Sequence, residues 1–276
     1  MAPKVWFITG ASRGFGRVWA EAALSRGDKV AATARSADSL TGLAKAYGSA
    51  VLPLELDVTD RAGVFAAVER AHAHFGRLDV VVNNAGYGLF GAIEETSEAE
   101  ARAQIETNVF GALWVIQAVL PRLRQQGGGH ILSVSSIGGI VAFPTLGLYH
   151  ASKWALEALN ESLTQEVAGQ GIKVTLIEPG SYATDWAGSS SIHTTHLPEY
   201  DGIRSQLAAA FAGASLGDPK ATGDAILKLV DADKPPLRLF LGSMPLPIAR
   251  QRYAERLATW SEWETVSSAA QGSVKV

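Results

Sequence analysis

Short apolar runs alternate with longer stretches of helical periodicity along nearly the whole chain. The runs fall at 4–9, 30–34, 51–56, 79–82, 130–135, 173–178 and 238–241. Apolar residues at successive positions within a run are the pattern of a strand buried on both faces. Segments with helical spacing fall at 15–26, 37–47, 60–75, 98–124, 149–169, 219–232 and 246–259. Strand followed by helix, repeated, predicts an α/β fold: a doubly wound parallel sheet of about seven strands flanked by helices. No internal repeat divides the chain, so residues 1–276 are expected to form one domain. The rhythm lapses across 181–219, where Trp186, Ile192, Leu197, Tyr200 and Phe211 are scattered among serines, threonines and glycines. Irregular stretches of that length usually cover a site, so this one is expected to be a substrate loop. The tail at 265–276 is small and polar and is expected to fray.

Composition narrows the function. With 47% hydrophobic residues the chain can build a large core, and a net charge of −3 leaves no basic footprint for nucleic acid. The absence of cysteine excludes disulfides, thiolate metal sites and a thiol nucleophile, and suits a reducing compartment. Met1-Ala2-Pro3-Lys4 runs directly into the first strand, so no signal peptide is expected and the location is read as cytoplasmic. Ile131–Ser152 contains no Asp, Glu, Lys or Arg, yet its serines, glycines and proline fit a strand feeding a dry pocket better than a bilayer span. No membrane partner is expected.

The first strand leads straight into Gly10, Ser12, Arg13, Gly14, Phe15 and Gly16, and a helical pattern follows. Strand, glycine turn and helix in that order make a phosphate-binding unit. Glycines let the backbone approach a pyrophosphate, and the helix N-terminus offers free N–H groups. The spacing is Gly-x-x-x-Gly-x-Gly rather than the common dinucleotide fingerprint. About 20 residues on, where an acidic residue would hold a ribose 2′-hydroxyl, the chain places Arg35 after the second strand. Arg35, with Arg13 in the turn, predicts NADP(H) over NAD(H).

A second group of residues carries chemistry. Tyr149 and Lys153 are four apart, hence on one face of a helix, and Ser136 lies thirteen residues before the tyrosine. A phenol titrates near pH ~10, and a neighbouring ammonium is expected to lower that value. Ser136 can hydrogen-bond the same substrate oxygen. A ketone reduced at carbon needs a proton at oxygen, which this trio can deliver.

These segments resemble the short-chain dehydrogenase/reductase family of the classical type. The resemblance rests on Thr9–Gly16, Asp57-Val58, Asn83-Asn84-Ala85-Gly86, Asn108, Ser136, Tyr149–Lys153 and Pro179–Thr184, in the family's order over roughly residues 4–185. It implies a single-domain Rossmann fold and a catalytic tetrad of Asn108, Ser136, Tyr149 and Lys153. Tyr149 would be the acid/base and Ser136 would orient the carbonyl. Lys153 would lower the tyrosine pKa and hold the nicotinamide ribose, and Asn108 would support a water. Asp57, with Val58 beside it, would meet the adenine, and Asn84, Ala85 and Gly86 would line the cofactor. Pro179, Gly180, Tyr182 and Thr184 would follow, Thr184 touching the carboxamide or the pyrophosphate. Tyr182 departs from the small branched residue common there. Leu89, Phe143 and Trp186 are expected around a hydrophobic ketone or secondary alcohol. The resemblance further implies a homodimer or homotetramer through the helices near 98–124 and 149–169, and Asn83–Gly88 is similar to a branch that includes 17β-hydroxysteroid dehydrogenases.

Two other readings stay open on sequence alone: a nucleotide-sugar epimerase or dehydratase, and a non-catalytic NADP(H) sensor. The glycine spacing opposes the first and the complete tetrad opposes the second. The remaining polar clusters read as ordinary surface. Glu94, Glu95, Glu98 and Glu100 look like a solvated helix start. His72 and His74 diverge on a helix, and His193 and His196 lack supporting ligands, so no metal site is expected. Successive helix residues face apart, so His150 is expected to point away from its neighbour Tyr149 and is given no direct role.

Overall fold

β1 (Val5–Ile8) is an interior strand of the sheet and shows how the core is divided. Its side chains alternate, so Val5 and Phe7 enter one apolar layer while Trp6 and Ile8 enter the other. The computed structural model describes residues 3–188, 190–213 and 215–273. Met1, Ala2, the last three residues of the expected tail, and Ser189 and Ala214 of the expected loop lie outside the described residues.

From β1 the chain continues through α1 (Gly14–Ser25), β2 (Lys29–Ala34), α2 (Thr41–Tyr47), β3 (Val51–Glu55), α3 (Arg61–Phe75) and β4 (Val80–Asn83). The short β5 (Leu89–Phe90) precedes α4 (Glu98–Ile105), α5 (Gly111–Gln125), β6 (Gly129–Val134), α6 (Gly147–Glu166) and β7 (Ile172–Pro179). The short β8 (Ile192–His193), α7 (Asp201–Phe211), α8 (Thr222–Asp231), β9 (Arg238–Leu241), α9 (Pro245–Glu262) and α10 (Glu264–Ala269) complete it. Seven strands form one sheet in the order β3-β2-β1-β4-β6-β7-β9, every neighbouring pair parallel. Side chains of α3, α5 and α6 fill one layer and those of α1, α2 and α8 the other, giving the expected Rossmann-like doubly wound fold. The two buried indoles are satisfied: Trp6 Nε1 donates to Asp28 at 2.8 Å and Trp19 Nε1 donates to Thr222 at 2.8 Å. Among the described residues no helix is long and apolar enough to cross a membrane.

The structure departs from the pattern in four places. The helix expected over 98–124 is α4 and α5 joined by a π-helical turn at Glu106–Phe110, which adds a residue to the turn holding Asn108. Part of the expected irregular stretch is regular: β8 pairs with β5, and α7 follows. The tail does not fray from residue 265, because α10 continues the helical C-terminus to Ala269. Glu95 is not a solvated helix-start residue. Ser97 caps α4 with Glu100 reaching back to it, whereas Glu95 lies before that cap and is buried.

Candidate active site

The carboxyl ends of the strands open into a cleft of about 1290 Å³, at the β1/β4 point where strand order reverses. Its floor is the glycine turn. Gly10 has φ +67° and Gly14 has φ +57°, the left-handed region that favours glycine. At Gly14 nothing lies within 4 Å of where a side chain would begin, so the turn presents bare backbone to the cleft. Arg13, at the N-cap of α1, makes no side-chain cap, and the first turn carries no acidic residue. Its N–H groups are therefore left for an anionic guest, which fits a pyrophosphate. Gly16 does a different job from the one expected. It lies outside the cleft wall, and a Cβ there would come within 2.4 Å of the Gly10 carbonyl oxygen, so it lets α1 pack onto the turn.

The turn is tied to the end of β4. Asn84 Nδ2 donates to the carbonyls of Thr9 and Gly10, both at 2.9 Å. The amides of Asn84 and Ala85 donate to Thr9 Oγ1 at 3.0 Å each. The Asn84 side chain thus shapes the cradle, while Ala85 and Gly86 line it. Ser12, Arg13, Phe15, Arg35, Asp57 and Val58 line the same end. Asp57 accepts from both the amide and the hydroxyl of Thr59, which fixes the loop after β3. Pro179, Gly180, Tyr182 and Thr184 line the opposite side. The bulk of Tyr182 is accommodated by its neighbours: its ring meets Phe15 edge-on at 5.2 Å and covers Gly217, where a Cβ would strike it at 2.6 Å.

Ser136, Tyr149 and Lys153 share one wall of this cleft. Ser136 is in extended backbone, with its hydroxyl accepting from the Gly138 amide at 3.0 Å. Tyr149 and Lys153 lie on successive turns of α6, and Lys153 Nζ is 5.7 Å from the phenol ring centre. The ammonium donates to the Val134 carbonyl at 2.7 Å. Asn108 stands behind this wall rather than on it. Its amide donates to Ser152 Oγ at 3.0 Å and to the Tyr87 carbonyl at 3.1 Å, and its carbonyl accepts from the Tyr87 amide at 3.2 Å. Ser152 in turn donates to the Tyr149 carbonyl at 2.6 Å. The π turn therefore braces α6 through Ser152, whose part depends on a partner 44 positions earlier in the chain.

One electrostatic expectation fails. Burial pushes the Tyr149 phenol up to about 12, with the adjacent Ser136 hydroxyl acting in the other direction. Burial also brings the Lys153 ammonium down to about 8, against the opposing pull of Glu157. Desolvation of the phenolate is the larger of the two effects on Tyr149, so the phenol is raised rather than lowered as expected. His150 is pushed down to about 4 by burial, and its Nδ1 accepts from the Phe143 amide at 3.2 Å. This neutral ring holds the Phe143 loop.

Beyond Tyr149 the cleft becomes aromatic. Trp186 sits 5.0 Å from the Tyr149 ring and 5.1 Å from Phe90, and Phe143 lines the far side. Leu89 does not line it: alternation along β5 turns Leu89 into the protein, 2% exposed, and turns Phe90 outward. Among the described residues, no group of three or more His, Asp or Glu side chains is placed to hold a metal ion.

The chain is similar to known proteins along most of its length. The short chain dehydrogenase family matches residues 4–194. An oxidoreductase of Botryotinia fuckeliana, BOA17, is 42% identical over 271 residues, covering 97% of this chain and 99% of that protein. A crystal structure of a short-chain dehydrogenase from Streptomyces avermitilis superposes with a TM-score of 0.92 at 38% identity over 98% of each chain. The alcohol dehydrogenase from Thermococcus sibiricus, complexed with 5-hydroxy-NADP, gives 0.73 at 30% identity over 88% of this chain and 97% of that one. A short chain dehydrogenase/reductase from Burkholderia phymatum in complex with NAD gives 0.81 at 26% identity, over 93% and 95%.

Proposed function

The chain belongs to the short-chain dehydrogenases, and on that footing we propose that it is an NADP(H)-dependent carbonyl reductase, reversible as an alcohol dehydrogenase. The observation that carries the reading is the convergence of the bare glycine turn with Ser136, Tyr149 and Lys153 in one cleft. The reduced nicotinamide supplies the hydride when bound. Ser136 and Tyr149 orient the carbonyl through its oxygen, and Tyr149 donates the proton that this oxygen needs as the C=O π bond opens. Lys153, held by the Val134 carbonyl, keeps a positive charge beside the phenol at neutral pH. Gly14, Ser12 and the first turn of α1 would hold the pyrophosphate, Asp57 and Val58 the adenine end, and Lys153 and Thr184 the nicotinamide end. Asn108 supports α6 from behind.

The cleft also indicates the substrate's character. Its charged side chains, among the described residues, are Arg13, Arg35, Asp57, Lys153, Asp185 and Arg204. Arg13 is 4.0 Å from Asp185, and Arg204 is paired with Glu95 and Asp201. Around Tyr149 the wall is Phe90, Phe143, Trp186 and Ile192, with Phe211 and Ile248 further out. No uncommitted charge faces a guest there, so the substrate class is an uncharged hydrophobic ketone or secondary alcohol.

Cofactor choice rests on Arg35, which is exposed at the cofactor end with no acidic residue in the equivalent place. Arg35→Asp is expected to lower the ratio of kcat/KM with NADPH to that with NADH by roughly tenfold or more. An unchanged ratio in steady-state assays of both cofactors would remove the NADP(H) assignment.

A further inference from the structure

We propose that Glu95 is a positioning residue for the substrate side of the site, acting through Leu197 and Arg204 on the arm at 190–213. The proposal deepens the reductase reading and rests on it. The Glu95 carboxylate is shut off from water and its two oxygens are divided between two parts of the chain. Oε2 accepts from the Ala92 amide at 2.7 Å, which holds the acid on its own turn. Oε1 accepts from the Leu197 amide at 2.7 Å and from the Arg204 guanidinium. Arg204 also donates to the Leu197 carbonyl at 3.2 Å, so the pair grips residue 197 from both sides. Next to it, the Tyr200 hydroxyl donates to Glu94 at 2.6 Å.

What these contacts hold is the wall facing Tyr149. The arm leaves the body at a neck where Ala183 N donates to the Gly217 carbonyl at 2.9 Å and Gly217 N to the Ser181 carbonyl at 3.0 Å. It then runs back along β5, with Ile192 N donating to the Gly88 carbonyl at 3.0 Å and Thr194 N to the Phe90 carbonyl at 2.9 Å. A two-stranded parallel pair of two residues per strand is too short to hold itself in water. Its fixed points are the neck on one side and the Glu95 contacts on the other. Gly88 and Gly91 allow this close approach: a Cβ at Gly88 would meet Trp186 at 2.8 Å, and one at Gly91 would meet Thr194 at 2.0 Å. Ile192 and His193 thus reach the cleft because the arm is pinned over 88–95, and Trp186, just before the arm, packs against Gly88. Buried and paired, Glu95 is held down to about 2, first by the Arg204 hydrogen bond, so the contact persists throughout the neutral range.

The test uses the full chain with Glu95→Ala, Arg204→Ala and the conservative Glu95→Gln. Amide hydrogen exchange at Ile192, Thr194 and Leu197 is expected to speed up by about tenfold or more in the two alanine variants, while β1 and β4 keep wild-type protection. KM for a hydrophobic ketone is expected to rise by roughly fivefold or more, with kcat and the NADPH Kd within about twofold of wild type. Glu95→Gln, which keeps an acceptor but loses the charge, should fall between, and it serves if an alanine variant fails to fold. Unchanged exchange in the arm overturns the proposal. So does protection lost evenly across the sheet, which marks a general folding role, and so does faster exchange with an unchanged KM. Exchange needs no substrate, so the pinning is read independently. A wild-type protein that reduces no ketone would refute the reductase reading while leaving the exchange result standing.

Discussion

Tyr149 and Lys153 shift in opposite directions from their ordinary values for the same reason: the cleft wall removes both from water, and water favours whichever form is charged. With the phenol near 12 and the ammonium near 8, both carry their protons at neutral pH. That state suits proton donation to a ketone. The reverse reaction must first take the phenol's proton, so alcohol oxidation should gain from alkaline conditions. For reduction, kcat is expected to hold through neutral pH and fall above about pH 8 as Lys153 loses its charge. A pH profile of NADPH oxidation with a saturating ketone checks this. A reduction kcat that climbs steadily from pH 7 to 10 would contradict the assigned roles.

Among the elements, β6 and β7 each carry a buried group that couples stability to pH. His130 on β6 is driven down to about 3, first by burial and then by the positive charges of Lys173 and Lys4. Its folded value lies below its unfolded one, so the stability it supports is present above about pH 6.5 and is lost as pH falls through the folded value. Glu178 on β7 is raised well above the ordinary carboxylate range by burial and by the Glu157 charge, with Arg238 opposing. Its oxygens and Glu157 Oε1 have no other buried hydrogen-bond partner, so a protonated Glu178 can donate to Glu157. Its folded value lies above the unfolded one, so its share of stability is present below about pH 4.5 and is lost as pH rises through the folded value. The two groups act in opposite directions, and each changes stability by at most about 1.4 kcal/mol per pH unit within its window. Thermal scans should therefore show Tm falling on both sides of a broad maximum between about pH 4.5 and 6.5, where the two slopes offset each other. Glu178→Gln should flatten the alkaline side and exceed wild type above pH 8. A variant Tm that falls in parallel with wild type from pH 6 to 9 would show that Glu178 does not titrate there.

At the scale of the whole molecule, what could be read from the sequence was what depends on local pattern. β1 was visible as successive apolar residues because both faces are buried, and the glycine turn was visible because Gly10 and Gly14 take backbone shapes other residues avoid. Ser136, Tyr149 and Lys153 were identifiable since two share a helix face and the third follows a strand end. Hidden features depend on partners far along the chain. Glu95 reads as one more acid before a helix, and its burial follows from Leu197, 102 positions later. The π turn at Asn108 breaks the helical period by one residue, which apolar spacing over 98–124 does not register. Leu89 and Phe90 are distinguishable only once β8 fixes the register of β5. The sign of the Tyr149 shift needed the depth of burial, which no spacing reports.

The central claim is that the Tyr149 hydroxyl gives its proton to a carbonyl oxygen in the cleft where the dinucleotide binds. The most direct measurement is NADPH absorbance during turnover of hydrophobic ketones by wild type and Tyr149→Phe, with NADPH affinity measured alongside. The account predicts wild-type turnover that falls by about a thousandfold or more on loss of the one oxygen, with the NADPH Kd little changed. A phenylalanine variant that reduces the same ketones at a rate close to wild type would contradict it.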